Sequence, residues 1–75
     1  MRKINKISDE IKKDWKKIHY TAAPYLYAMG QVEKLEDKFI KTNGKNLILK
    51  FLSNAGTWRG ETARQIKAEL KEMVK

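Results

Sequence analysis

The side chains that could do chemistry are few, and most fail at the first test. His19 is the only histidine and there is no cysteine, so neither an N/S metal site nor a thiolate nucleophile can be assembled. No metal and no cofactor is expected. His19 is read instead as the end of a first helix, where a donor suits the exposed carbonyls. Paired carboxylates need a cleft for acid–base work, and Glu61, Glu69 and Glu72 fall together on one solvated helix face. Gly56 and Gly60 have neither the preceding strand nor the following Gly-Lys-Ser/Thr of a phosphate loop. No catalytic residue emerges, and the chain is not expected to be an enzyme.

What remains is positive charge. Arg64, Lys67, Lys71 and Lys75 share one flank of a C-terminal segment, while Glu61, Gln65, Glu69 and Glu72 share the other. Lysines four apart repel by about 0.2–0.5 kcal/mol per pair, a repulsion that alternating signs would avoid. A second set, Lys6, Lys12, Lys13, Lys16 and Lys17, faces away from the apolar stripe of the N-terminal segment, with Asp9 a partner for Lys13. Such a face can be merely solvated. It can also contact phosphates, which need no fixed pattern, or dock an amphipathic basic helix on a membrane or groove. The candidate nucleic-acid-binding residues are therefore Lys12, Lys13, Lys16, Lys17, Arg59, Arg64, Lys67, Lys71 and Lys75. Trp58, in the connection before a helix, is read first as closing an end of the core. Tryptophan and arginine are nonetheless the types most enriched at binding hot spots, so Tyr27, Trp58 and Arg59 form the candidate partner-binding set. A helix–turn–helix needs inward apolar residues at set intervals after its turn glycine. Counted from Gly56 these are Thr62 and Gln65; counted from Gly60 they are Ile66 and Glu69, of which only Ile66 fits.

Four helical segments must position these groups. In the first, Ile4, Ile7, Ile11, Trp15 and Ile18 fall within an arc of roughly 80° at helical period. Ser8 before Asp9 and Glu10 is a possible N-cap, or the helix starts nearer Asn5. The second opens at Thr21, a candidate cap, with Pro24 in its first turn. Its apolar face runs Ala22, Tyr25, Leu26, Met29, Val32, Leu35, Phe39 and Ile40, interrupted by Gly30, to a turn at Lys41-Thr42-Asn43-Gly44. Tyr27 lies on its opposite, solvent side. The third holds Leu47, Ile48, Leu49, Phe51, Leu52 and Ala55 over an arc of roughly 200°, which places it at the centre of the fold. Asn43 or Asn46 caps it, and Gly56 is read as a left-handed residue ending it. The fourth starts between Thr57 and Glu61 and buries Ala63, Ile66, Leu70, Met73 and Val74. No run alternates at the period of a strand. The expected fold is all-α, a compact array of four short helices with the third central.

Composition agrees with this architecture. The chain has 75 residues, 41% hydrophobic and 35% charged, enough for one small core and against wholesale disorder. One domain over 1–75 is expected, with 1–7 a frayed basic segment. No apolar run approaches the ~20 residues that span a bilayer, and no signal-type apolar region follows the basic start. Seventeen Lys and Arg against nine Asp and Glu give +8, a balance that favours an anionic partner. Residues 1–20 and 44–75 each hold seven cations and three acids, and residues 21–43 hold three of each. Two basic ends flank a neutral middle.

The stretch from Phe51 to Leu70, with Ser53-Asn54-Ala55-Gly56-Thr57-Trp58-Arg59-Gly60 at its heart, and Ala23-Pro24-Tyr25-Leu26-Tyr27-Ala28-Met29 before it, resembles small uncharacterised helical proteins of bacteriophages and integrative elements of Gram-positive bacteria. The resemblance covers most of residues 15–75. It implies a mobile-element accessory protein in the bacterial cytoplasm and supplies no activity or mapped site. The expectation is a non-enzymatic binding protein that engages nucleic acid or a nucleoprotein complex. The alternative is an adaptor or inhibitor of a host or phage protein, as a monomer or a homo-oligomer.

Overall fold

A computed structural model describes residues 2–75, and Met1 of the expected frayed segment lies outside them. The chain forms α1 (Ile4–Asp14), α2 (Ala23–Met29), a hairpin of β1 (Lys38–Phe39) and β2 (Thr42–Asn43), then α3 (Gly44–Ser53) and α4 (Glu61–Met73). α1 packs on α2 and α4, and α3 packs on the same two. The Ile4 N–H donates to the Glu33 carbonyl after α2 at 2.9 Å, and the Trp58 indole N–H donates to Asp14 at 2.8 Å. One end of the bundle thus holds the 15–22 and 54–60 connections, and the other holds the hairpin and the start of α1.

The core is one cluster. Ile4, Ile7 and Ile11 of α1 meet Leu26 and Met29 of α2, Ile48 and Phe51 of α3 and Leu70 of α4, all at 1% exposure or less. Of the periodic apolar positions, Ile4, Ile7, Ile11 and Trp15, Leu47, Ile48, Phe51 and Ala55, and Ala63, Ile66 and Leu70 are buried, while Ile18, Leu52, Met73 and Val74 are only partly so. Residues 4–7 are not frayed: α1 begins at Ile4, and both isoleucines are fully enclosed. Ser8 lies inside the helix, buried, and its hydroxyl donates to the Leu26 carbonyl at 3.2 Å, so it is no N-cap.

Four further expectations give way. α3 is one wall of the bundle, not its centre. It buries Gly44, Leu47, Ile48 and Phe51, while Leu49, whose inclusion widened the apolar arc, is 42% exposed. α1 stops at Asp14, well before His19, because Trp15 turns out of the helix to lie flat against Trp58. Thr21 does not cap α2, whose N-cap is Ala22. Its N–H instead donates to His19 Nδ1 at 3.2 Å. α2 ends at Met29, and Gly30 closes it rather than interrupting it. Beyond it the Asp37 carboxylate accepts from the Glu33 and Lys34 N–H groups at 3.1 and 3.0 Å, folding the chain into a loop that competes with helix.

The hairpin pairs Lys38 with Asn43 and Phe39 with Thr42, a small strand element in a mostly helical domain. Its turn is Ile40-Lys41, with Ile40 at φ 62°, a left-handed conformation costly for a β-branched residue. Asn43 caps α3, its side chain accepting from the Asn46 N–H at 2.9 Å. Gly56 is not left-handed. Asn54 closes α3, and the positive φ of 120° falls at Gly60, just before α4.

Candidate functional site

Trp58 organises one end of the molecule. Its ring is 2% exposed, stacked on Trp15 at 5.7 Å and edge-on to Phe51 at 6.3 Å. The core-closing reading of Trp58 therefore fits the packing, and little of the ring is left for a partner to touch. The Lys67 ammonium lies over the same ring at 5.8 Å and donates to the Ala55 and Trp58 carbonyls at 2.7 and 2.6 Å. Partial burial, then Lys71 and Arg59 nearby, hold the Lys67 amine below its ordinary pKa. Lys67 thus fastens the α3–α4 connection as well as contributing charge.

Against this scaffold an open groove of about 520 Å³ runs along the start of α4. Arg59, Arg64, Lys67 and Lys71 line it, with Ala63, Ala68 and Trp58 as its apolar part. Glu61 is the one acid there, and it accepts from Arg64 at 2.7 Å. The groove thus brings four of the cations expected from the sequence to one surface.

The stacked tryptophans bring the second basic stretch to the same end. Lys12 and Lys13 occupy the last turn of α1, and Lys16 and Lys17 follow Trp15, all four exposed. Their lysine charges also oppose the negative end of the α1 dipole. Asp14, the acid among them, is engaged by the Trp58 indole. The Trp15–Trp58 stack therefore sets Lys16 and Lys17 at the same end of the fold as Arg59, while the Lys12 ammonium lies toward Gly30 at the end of α2.

Lys75 and Tyr27 stand apart from this arrangement. Lys75 pairs with Glu72 at 3.2 Å beyond the last turn of α4 and is not part of the groove. Tyr27 is 60% exposed, as expected, but packs edge-on against Phe39 of the hairpin at 6.0 Å. The acidic flank of α4 is partly engaged as well. Arg2 donates to Glu69 at 2.9 Å and pairs with Glu10, and this bond lowers the Glu69 pKa.

One residue escaped the sequence reading. Tyr20, in the α1–α2 connection, is 81% exposed and stacks on His19 at 4.8 Å with 23° between the rings. Helical periodicity cannot single out a loop residue. The available signal was an aromatic directly after the basic run Lys16-Lys17-Ile18-His19.

Among the described residues no three His, Asp or Glu side chains converge as metal ligands, and no helix is long and apolar enough to cross a membrane. No protein-family model matches the chain, and no curated protein or solved structure matches it.

Proposed function

We propose that the protein is a non-enzymatic binding module that engages a nucleic-acid backbone, alone or within a nucleoprotein complex, through its basic end. The observation that supports this most is the meeting of two basic stretches at one place. Lys16 and Lys17 follow Trp15, which is stacked on Trp58 at the head of a groove lined by Arg59, Arg64, Lys67 and Lys71, and the two acids nearest them, Asp14 and Glu61, already hold partners. Uncompensated cations spread over a surface attract a polyanion without any fixed motif. A stoichiometric binder in a bacterial cytoplasm is also what the sequence's resemblance to small phage and mobile-element proteins implies. Fluorescence anisotropy with labelled duplex DNA, single-stranded DNA and RNA at two salt concentrations tests the reading. Binding that weakens steeply with salt, with a slope of about 0.7–0.9 per phosphate contacted, is expected. Absence of binding to all three at low salt rejects it.

The second reading is an adaptor or inhibitor that binds a host or phage protein. It is favoured by apolar side chains at the hairpin end, where Tyr27 and Ile40 are 60% and 83% exposed. One protein retained on the tagged chain at high salt after nuclease treatment would carry it forward.

A further inference from the structure

We propose that the polyanion held by the basic end is a single strand, with an unpaired base stacked on Tyr20. This rests on the nucleic-acid reading above and narrows it. Phosphate contact alone does not distinguish single strands from duplexes, because both present the same charged backbone. An exposed flat ring does distinguish them. The faces of bases inside a duplex are covered by their neighbours, whereas those of a single strand are free to stack on an aromatic side chain.

The basic end carries such a ring. Tyr20 is 81% exposed, so its phenol is available on the surface rather than filling the core. It is also supported from behind: His19 stacks on it at 4.8 Å, and His19 is itself fixed through Nδ1 by the Thr21 N–H. Lys16 and Lys17, four and three residues before it, are exposed cations in the same connection. That connection leaves α1 at Trp15, which is stacked on Trp58 at the head of the groove. A stacking platform and a cationic track therefore occupy the same end of the bundle, the combination that recurs where proteins hold single strands without reading their sequence. The buried tryptophans cannot take this role, with Trp15 and Trp58 at 6% and 2% exposure.

The test uses fluorescein-labelled dT and rU oligonucleotides of twelve residues and a duplex of equal length, titrated with the full chain at low and moderate salt. The protein should bind both single strands about tenfold or more tightly than the duplex. Tyr20→Leu should weaken single-strand binding by about tenfold and leave duplex binding unchanged. Tyr20→Phe and Tyr20→Trp should retain it, since the ring and not the hydroxyl is used. Tyr27→Leu, which removes an exposed tyrosine at the other end, should have no effect. Circular dichroism of each variant should match the parent, as neither side chain belongs to the core. Equal affinity for duplex and single strand, or single-strand binding indifferent to Tyr20→Leu, overturns the stacking proposal while the phosphate-binding reading stands. No binding to any of the three probes overturns both.

Discussion

At the end of the bundle where α1 stops and α4 begins, closure comes from large side chains: Trp15 stacked on Trp58, Phe51 edge-on to both, and Lys67 laid over the indole. At the other end closure comes from backbone. The Ile4 N–H reaches the Glu33 carbonyl, Gly44 lies against Lys34 and Leu35, and the Asp37 carboxylate gathers two N–H groups. The charges divide the same way. Residues 30–43 hold three cations and three acids, and the acids there have local work, as with Asp37 on the backbone and Glu33 facing Lys3 at 3.9 Å. At the tryptophan end most cations face water without an acidic partner. The aromatic lid engages only Asp14 and Lys67 of the charged groups around it, and this leaves the other cations at that end available for a ligand.

The comparison can be broken most sharply at Trp58. Trp58→Ala removes the stack, the bond to Asp14 and the surface under Lys67, and should cost about 3–5 kcal/mol, most of the stability of so small a domain. Urea denaturation checks it, and an unchanged midpoint would contradict the aromatic lid. Next come the glycines. A Cβ on Gly44 would sit 2.5 Å from the Lys34 carbonyl oxygen and 2.9 Å from Ile4 Cδ1, so Gly44→Ala should destabilise by about 1–3 kcal/mol. Gly56, at the tryptophan end, has open space and an ordinary φ, so Gly56→Ala should be neutral or slightly stabilising. Ile40→Gly should relieve the left-handed strain at the hairpin tip and raise stability by about 1 kcal/mol, since the exposed side chain it removes covers nothing. The smallest effect concerns acid. Backbone N–H groups lower the Asp37 pKa, so its contribution is complete above the usual carboxylate range and is lost as pH falls through the lowered value. Amide protection at Glu33 and Lys34, taken relative to the intrinsic exchange rate at each pH, should fall in that window, and Asp37→Asn should remove the dependence.

Much of this contrast was legible in the sequence, for a physical reason. Ile4, Ile7, Ile11 and Trp15, like Ala63, Ile66 and Leu70, are spaced by the helix itself, and their burial follows from that period. The same rule misled where apolar residues kept the spacing without the helix. Leu35 and Phe39 continue the α2 pattern but pack against the core from a loop and a hairpin, because Asp37 offers the backbone another set of bonds. The end of α1 was hidden for a different reason: Trp15 leaves the helix to meet a residue more than forty positions away. The cations of the site were identified by type and flank, but their meeting at one end depended on helix directions that no local pattern contains. Lys75 kept the flank's spacing and still fell outside, and Tyr20 had no spacing to betray it.

The central claim is that the basic end, not the hairpin end, holds the ligand. Amide chemical shifts of the labelled protein, followed during titration with an unlabelled twelve-residue dT oligonucleotide, test it most directly. The account predicts that the shifts move together along residues 12–20 and 58–64 and at Lys67 and Lys71, while residues 30–43 stay in place. Shifts centred on Tyr27 and Ile40, or no shifts at all at low salt, would contradict it.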